Sequence, residues 1–157
     1  MPERELRRLY SPAAGLVRSL SELNSGEFKQ GGEGFAVCVE GIIMRTYYRL
    51  VPAVEVCSPV DGALIEASPM GFRLRTGDGL EIAVRLPGDA EYFLETGYMA
   101  PAGEPVCRIS RKDFCRESAG VIVDFCDIGR ITELHVLSGV KRSGDQAAEY
   151  FPRSPEI

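Results

Sequence analysis

Short apolar segments separated by turn residues run along most of the 157-residue chain. They are rich in Val, Ile, Leu, Phe and Tyr, and Gly, Pro, Asp or Ser bound them, a pattern typical of strands. The predicted strands are Gly15–Leu20, Phe35–Val39, Val54–Cys57, Gly62–Glu66, Gly71–Arg75, Leu80–Leu86, Val106–Ile109, Gly120–Val123 and Thr132–Val136. One short helical turn is expected within Met1–Tyr10 and another within Ser110–Ser118. The pattern predicts an all-β fold, an antiparallel β-sandwich or barrel with little helix.

Two local features refine this prediction. Thr76–Leu80 contains Gly-Asp-Gly between two predicted strands, which is the clearest hairpin signal in the chain. Ser11–Val17 and Ser58–Leu64 resemble each other, since both present Ser-Pro, two further residues and then a glycine that opens an apolar strand. Proline fixes φ and glycine permits the bend into the strand. The pair of segments predicts a duplicated β-motif, a barrel-sandwich hybrid, arranged about a pseudo-twofold axis.

Charge and hydropathy exclude two classes of partner. The net charge is −5 and no long Lys/Arg cluster occurs, which argues against nucleic-acid binding. No apolar run is long enough to span a membrane. The first residues carry charges of both signs and no apolar core, so no signal peptide is predicted. We expect a cytoplasmic, self-standing protein of one domain covering residues 1–157.

Cysteine usage indicates thiols rather than disulfides or a metal site. The chain has five cysteines, an odd number without a C-x-x-C motif, most of them in or beside apolar runs. With one histidine in the chain, zinc ligands are lacking, and no metal or cofactor is expected.

The segment Cys57–Ser68, which reads CSPVDGALIEAS, resembles the Ala-Pro-Val-Asp-Gly segment of the glucose-type enzyme IIA of the bacterial phosphoenolpyruvate-dependent sugar phosphotransferase system. The resemblance continues through Gly71–Leu86, then through Gly97–Ile109, and ends with Ile131–Gly139. The motifs occur in the family's order and cover about residues 11–145. The resemblance implies a IIA-like domain with an antiparallel β-sandwich fold and a shallow apolar face around an active site.

The resemblance fails at the two histidines that the family uses. The first position is Met70 in Ser68-Pro-Met-Gly-Phe72, and the second, which carries the phosphoryl group in the family, is Arg85. Asp89 resembles the acidic residue that follows the family's phosphorylated histidine. Arg85, Asp89, Ser68, Met70 and Phe72 are therefore the candidates for binding a phosphate or a partner, and no catalytic residue is predicted.

The substitutions remove the family's chemistry. Phosphoryl relay requires a neutral imidazole nitrogen as nucleophile, which methionine lacks. Arginine stays protonated and cannot attack phosphorus, although it can bind a phosphate. The leading hypothesis is a non-catalytic binding or regulatory module. Its partners would be phosphotransferase proteins such as the phosphocarrier HPr or a sugar permease component.

Other interpretations remain open on the sequence. An active phosphocarrier would need an unusual acceptor, such as Asp89 or His135. Arg85 is either an anion receptor or a strand-end cation paired with Asp89 or Glu81. Tyr47-Tyr48 is either a partner-facing patch or part of a strand that buries one ring and exposes the other. Zinc endopeptidases and biotinyl or lipoyl carriers on related scaffolds are excluded because the ligand histidines and the hairpin-tip lysine are missing.

Overall fold

The fold is known from a computed structural model, which describes residues 5–21, 34–115 and 120–153. The strands are β1 (Arg7–Tyr10), β2 (Gly15–Ser19), β3 (Gly34–Cys38), β4 (Ala53–Cys57), β5 (Gly62–Ser68), β6 (Gly71–Arg75), β7 (Glu81–Arg85), β8 (Glu91–Tyr92), β9 (Met99–Ala100), β10 (Pro105–Ser110), β11 (Val121–Phe125), β12 (Ile131–Val136), β13 (Gly139–Lys141) and β14 (Gln146–Pro152). The helices are α1 (Gly41–Tyr48) and α2 (Arg111–Phe114). A 3-10 turn covers Ile128–Arg130.

Within these ranges the strands form one eight-stranded sheet and two three-stranded sheets. The large sheet has the order β13-β2-β3-β11-β7-β6-β5-β9, and the small sheets have the orders β1-β14-β12 and β4-β10-β8. Every pairing among the described strands is antiparallel. The predicted all-β, antiparallel sandwich is therefore confirmed.

The order of strands is the same in two halves of the molecule. Reading inward from either edge, the large sheet meets β13, β2, β3 and β11, or β9, β5, β6 and β7. Hydrogen bonds between the two Ser-Pro segments are reciprocal: Tyr10 N–H donates to Pro59 O and Cys57 N–H donates to Pro12 O, both at 2.8 Å. The predicted duplication is present, and its pseudo-twofold axis passes between β7 and β11.

The two Ser-Pro turns also share their internal geometry. The Ser11 hydroxyl donates to Ala13 O at 2.7 Å, and the Ser58 hydroxyl donates to Val60 O at 2.6 Å. Both serines are fully buried. Each hydroxyl therefore satisfies a carbonyl that the tight turn would leave without a partner away from water.

One hydrophobic core fills the space between the large sheet and the two small sheets. Alternate residues of β7 and β11 point into it, among them Ile82, Val84, Val121 and Val123. The small sheets meet them with side chains such as Val56 of β4. Since each fully buried aliphatic side chain contributes about 1.5–3 kcal/mol, this face holds the sandwich together. The opposite face of the large sheet is free to carry other chemistry.

All of the predicted strands coincide with observed strands, and the Thr76–Leu80 hairpin joins β6 to β7 as expected. The Thr76 hydroxyl accepts from Leu80 N–H at 3.1 Å, which closes the turn. The helical turn predicted within Ser110–Ser118 corresponds to α2, although residues 116–118 lie outside the described ranges. The helical turn predicted within Met1–Tyr10 is wrong for residues 7–10, which form β1, and residues 1–4 lie outside the described ranges.

Several elements had no clear local signal. β8, β9 and β13 are only two or three residues long. β1 pairs with β14, which lies near the other end of the sequence. Helix α1 contains Ile42, Ile43 and Thr46, and the side chain of its N-cap residue Glu40 makes no capping hydrogen bond. β-branched residues favour strands locally, so tertiary packing must determine the helical conformation of this segment.

Helix α1 also determines which ring of the Tyr47-Tyr48 pair is buried. Tyr48 is 4% exposed and packs edge-to-face against Phe114, whereas Tyr47 is 62% exposed. One ring is buried and the other exposed, as the sequence predicted, but the element is a helix and not a strand. Among the described residues, no helix combines the length and apolar character that crossing a membrane requires.

We predict that Gly120→Ala strongly destabilises the protein. Gly120 has a φ of +58°, and a Cβ at this position would lie 1.9 Å from Val37 O, a backbone atom of the neighbouring strand β3. The left-handed conformation and the clash together should cost at least about 2 kcal/mol of the free energy of unfolding, measured by urea denaturation. Gly77→Ala is the matched control, because a Cβ there meets nothing within 4 Å. Equal stability of the two variants would contradict the prediction.

Candidate functional site

The two positions that the resemblance aligns with histidines are neighbours in space. Met70 lies in the turn between β5 and β6, and Arg85 is the last residue of β7. Gly71 is the register partner of Arg85, and Leu86 N–H donates to Met70 O at 2.9 Å. The Met70 residue is 55% exposed and the Arg85 side chain 66% exposed. Both side chains are thus available to a ligand at the same end of the large sheet.

The turn that carries Met70 is held from several directions. The Ser68 hydroxyl donates to Gly71 O at 3.0 Å, and Ala90 N–H donates to Pro69 O at 2.7 Å. The Tyr92 hydroxyl, from a small sheet, lies 2.7 Å from Ser68 O and 2.6 Å from Gly71 O. Partial burial raises the pKa of Tyr92 well above its ordinary value of 10, so its hydroxyl stays a donor. These contacts tie the turn to the neighbouring sheet.

Two of the predicted site residues have supporting positions. Phe72 is buried in the core and packs edge-to-face against Tyr92, with ring centroids 6.2 Å apart. Ser68 uses its hydroxyl within the turn. Asp89 is exposed on the segment after β7, and its carboxylate makes no hydrogen bond or ion pair with another described residue. Of the predicted set, Ser68, Met70, Arg85 and Asp89 are therefore exposed to solvent, and Phe72 alone is buried.

Arg85 pairs with a residue that the sequence did not point to. Its Nη2 lies 3.3 Å from Oδ2 of Asp124 on β11. The pairing predicted with Asp89 or Glu81 is not what the structure has, because β11 neighbours β7 and places Asp124 on the same face. The Glu81 carboxylate instead lies 3.5 Å from Arg73 and 3.0 Å from Arg75.

The Arg85–Asp124 pair is strongly asymmetric. The Asp124 side chain is 7% exposed, whereas that of Arg85 is 66% exposed. Burial raises the pKa of Asp124 above its ordinary 3.8, and the nearby Arg85 guanidinium offsets part of that rise. Among the described residues, this buried carboxylate thus has one surface cation, Arg85, to compensate its charge.

A small apolar cluster adjoins this pair on the same face of the sheet. Ile122 is the register partner of Arg85 and packs against Leu20, Ala36 and Cys38, all three buried. Burial raises the pKa of the Cys38 thiol, so Cys38 is an apolar neighbour and not an activated nucleophile. The site therefore combines an exposed cation, a buried carboxylate and a small, largely buried apolar cluster.

The chain's single histidine lies in a different sheet. His135 is on β12, which pairs with β14, and its Nδ1 lies 3.5 Å from Oε1 of Glu149. Neither β12 nor β14 belongs to the large sheet that carries Arg85. The structure does not bring His135 to the Met70–Arg85 site.

The other residues considered from sequence have structural positions. Cys38, Cys57 and Cys107 are buried free thiols as expected, but Cys126 is exposed. Asp61 accepts from Ala102 N–H at 2.7 Å and so joins two turns. Among the described residues, no group of three or more His, Cys, Asp or Glu side chains is arranged to hold a metal ion.

The fold matches a solved structure along nearly its whole length. Glucose permease IIA from Mycoplasma capricolum superposes with a TM-score of 0.73 over 95% of this chain and 99% of that chain, at 22% sequence identity. The chain has the glucose-type IIA fold. No protein-family model and no curated protein sequence matches the chain. The IIA-like fold expected from the sequence motifs is confirmed by structure.

Asp124 is the site residue that sequence reasoning missed. It interrupts the apolar run Val121–Phe125, where a charge is unexpected. An acidic residue inside a predicted core strand is the signal that could have identified it, because buried carboxylates need a partner. The partner itself depends on the pairing of β7 with β11, which no local pattern reveals.

We predict that Asp124→Asn removes a pH dependence of stability. Because burial raises the pKa of Asp124, the folded protein binds a proton more tightly than the unfolded chain does. The resulting stabilisation is fully present below the unfolded pKa and is lost as pH rises through the folded pKa. The free energy of unfolding of wild type relative to Asp124→Asn should therefore fall from acid to neutral pH in urea titrations.

A direct measurement checks the same point. The carboxyl carbon of Asp124, followed by NMR in the folded wild-type protein, should titrate with a midpoint above 3.8. A midpoint at or below that value would contradict the burial that the structure assigns to this group.

Proposed function

We propose that this chain is a IIA-like module of the sugar phosphotransferase system that binds partners at the Met70–Arg85 site and does not carry a phosphoryl group. The observation that supports it is the adjacency of Met70 and Arg85 on a retained glucose-type IIA fold. A thioether and a protonated guanidinium stand where the resemblance implies two imidazoles. Neither can accept a phosphoryl group.

The position of His135 supports the same conclusion. It lies on a separate sheet beside Glu149, away from the Met70–Arg85 site. Relay between two nitrogen nucleophiles requires both groups within reach of one phosphoryl group. Histidine chemistry at this site would thus need residues that the chain does not have.

The partners follow from the fold and from the exposed site. A IIA-like surface suits phosphotransferase proteins such as HPr or a sugar permease component. We place the module in the cytoplasm, where these proteins act, and treat residues 1–157 as one IIA-like domain. Arg85 would supply a cation at the contact, since arginine is enriched where interfaces bind anions.

A labelling experiment tests the absence of phosphoryl transfer. The chain is incubated with phosphoenolpyruvate, enzyme I and HPr, and phosphoryl incorporation is measured. No label should appear. A covalent phosphoryl label would overturn the proposal, and its loss in Asp89→Asn or in His135→Gln would establish the alternative, an active carrier with an unusual acceptor.

We further predict that Met70→His combined with Arg85→His makes the chain a phosphoryl acceptor. The two positions are adjacent and exposed, so two imidazoles fit without displacing the core. Labelling should rise from background toward about one phosphoryl group per chain.

The matched control places the same substitutions elsewhere on the surface. Met99→His combined with Arg108→His uses exposed positions on β9 and β10. This control should remain unlabelled. Equal labelling of both double variants would show that the Met70–Arg85 site has no special geometry for transfer.

A further inference from the structure

We propose that Arg85 and Asp124 form a proton-linked receptor for a phosphoryl group carried by a partner protein. Arg85 exchanges the carboxylate of Asp124 for the phosphoryl oxygens, and Asp124 takes up one proton from solvent. No covalent bond forms or breaks. The identity of the partner rests on the proposed function, whereas the anion site can be tested without any partner.

The unequal exposure of the pair makes the exchange feasible. The guanidinium contacts Asp124 through Nη2 at 3.3 Å while two thirds of the Arg85 side chain faces solvent. Guanidinium has five N–H donors in a planar fork, which fits the tetrahedral oxygens of a phosphoryl group bidentately. A dianion also attracts the guanidinium more strongly than a single carboxylate charge does. The cation is therefore already presented at the surface.

The carboxylate that Arg85 would leave is the origin of the proton linkage. Asp124 is buried, and among the described residues Arg85 is its one ionic partner. An ionised carboxylate left unpaired away from water is costly, and protonation removes that cost. Burial has already raised the pKa of Asp124 while Arg85 is in place. Departure of the cation raises that pKa further.

Within the part of the chain that the structure describes, the surroundings of Asp124 offer no alternative cation. Its register partners are Ala83 on β7 and Gly34 on β3, which carry no charge. Cys126, the residue after β11, feels the charge of Asp124, and burial raises the pKa of its thiol, so this group stays neutral in acid. Next to Cys126, Arg73 on β6 and Glu81 on β7 pair with each other. Arg73 also pairs with Glu66, so it is not free to replace Arg85.

Sulfate is the probe, because it keeps two negative charges from acid to neutral pH and so adds no titration of its own. The protein is labelled with carbon-13 methyl methionine, and Met70, adjacent to Arg85, reports binding by NMR. Met99, exposed on β9, is the internal control. A saturable shift of Met70 without a matching shift of Met99 is expected. No saturable shift of Met70 at any pH would overturn the proposal.

The pH dependence of sulfate affinity tests whether binding is coupled to proton uptake by Asp124. Because binding takes up a proton, affinity for sulfate should be highest in acid and fall as pH rises above the pKa of Asp124 in the free protein. The fall approaches about tenfold per pH unit where one full proton is taken up. In the same samples, sulfate should raise the titration midpoint of the Asp124 carboxyl carbon. An unchanged midpoint in the sulfate-bound protein would overturn the exchange.

Variants separate the roles of the two residues. Arg85→Gln should abolish the Met70 shift. Asp124→Asn frees the guanidinium, so its affinity for sulfate at neutral pH should exceed that of wild type by the same factor through which the wild-type affinity falls from acid to neutral pH, and its pH dependence should be lost. Arg108→Gln, which removes an exposed arginine paired with Glu91, should bind like wild type. An Asp124→Asn protein with wild-type pH dependence would refute the linkage.

A final comparison identifies the source of the anion and keeps this proposal distinct from the proposed function. At neutral pH, phosphorylated HPr should bind Asp124→Asn more tightly than wild type, and unphosphorylated HPr should bind both equally. If sulfate binds as expected but neither form of HPr binds, the anion receptor stands and the phosphotransferase partner is wrong. If HPr binds equally with and without its phosphoryl group, the partner stands and the receptor's role in recognising it is wrong.

Discussion

The antiparallel register across β6, β7 and β11 is the constraint on which the site depends. It aligns Gly71, Arg85 and Ile122 in one row across the centre of the large sheet. One consequence is that Met70, next to Gly71, lies beside Arg85. Another is that Asp124, two residues beyond Ile122, lies on the same face as Arg85 and within 3.3 Å of it. A one-residue shift of β11 against β7 would turn the Asp124 side chain into the core and so separate it from Arg85.

The fold does not depend on the residues of the Met70–Arg85 site. Sandwich stability comes from the inner face of the large sheet, where Val84 and Val123 pack against the small sheets. Arg85 and Asp124 lie on the outer face of the same strands. Strand alternation thus separates the residues that hold the protein together from those that meet a ligand. The same architecture is therefore compatible with a low sequence identity, 22% to the solved structure that it matches.

The charges at the site give Arg85 and Asp124 a common physical role in the function that we propose. A histidine pair can accept a phosphoryl group, whereas a guanidinium can only bind one. In the receptor that we propose, the buried Asp124 carboxylate holds the permanently charged Arg85 guanidinium in place until a stronger anion competes, and a proton then moves onto Asp124.

The sequence by itself determined nine of the fourteen described strands, the Thr76–Leu80 hairpin, the Ser-Pro duplication and the absence of an imidazole at positions 70 and 85. Each of these follows from alternation, turn residues or residue type, which act over a few neighbouring positions. Tertiary structure alone decided that Gly41–Tyr48 is a helix, that Arg7–Tyr10 joins the strand ending at Pro152, and that Arg85 pairs with Asp124 in place of Glu81. These outcomes depend on register and burial between segments far apart in the chain, and a local pattern carries no information about which distant strand lies beside it.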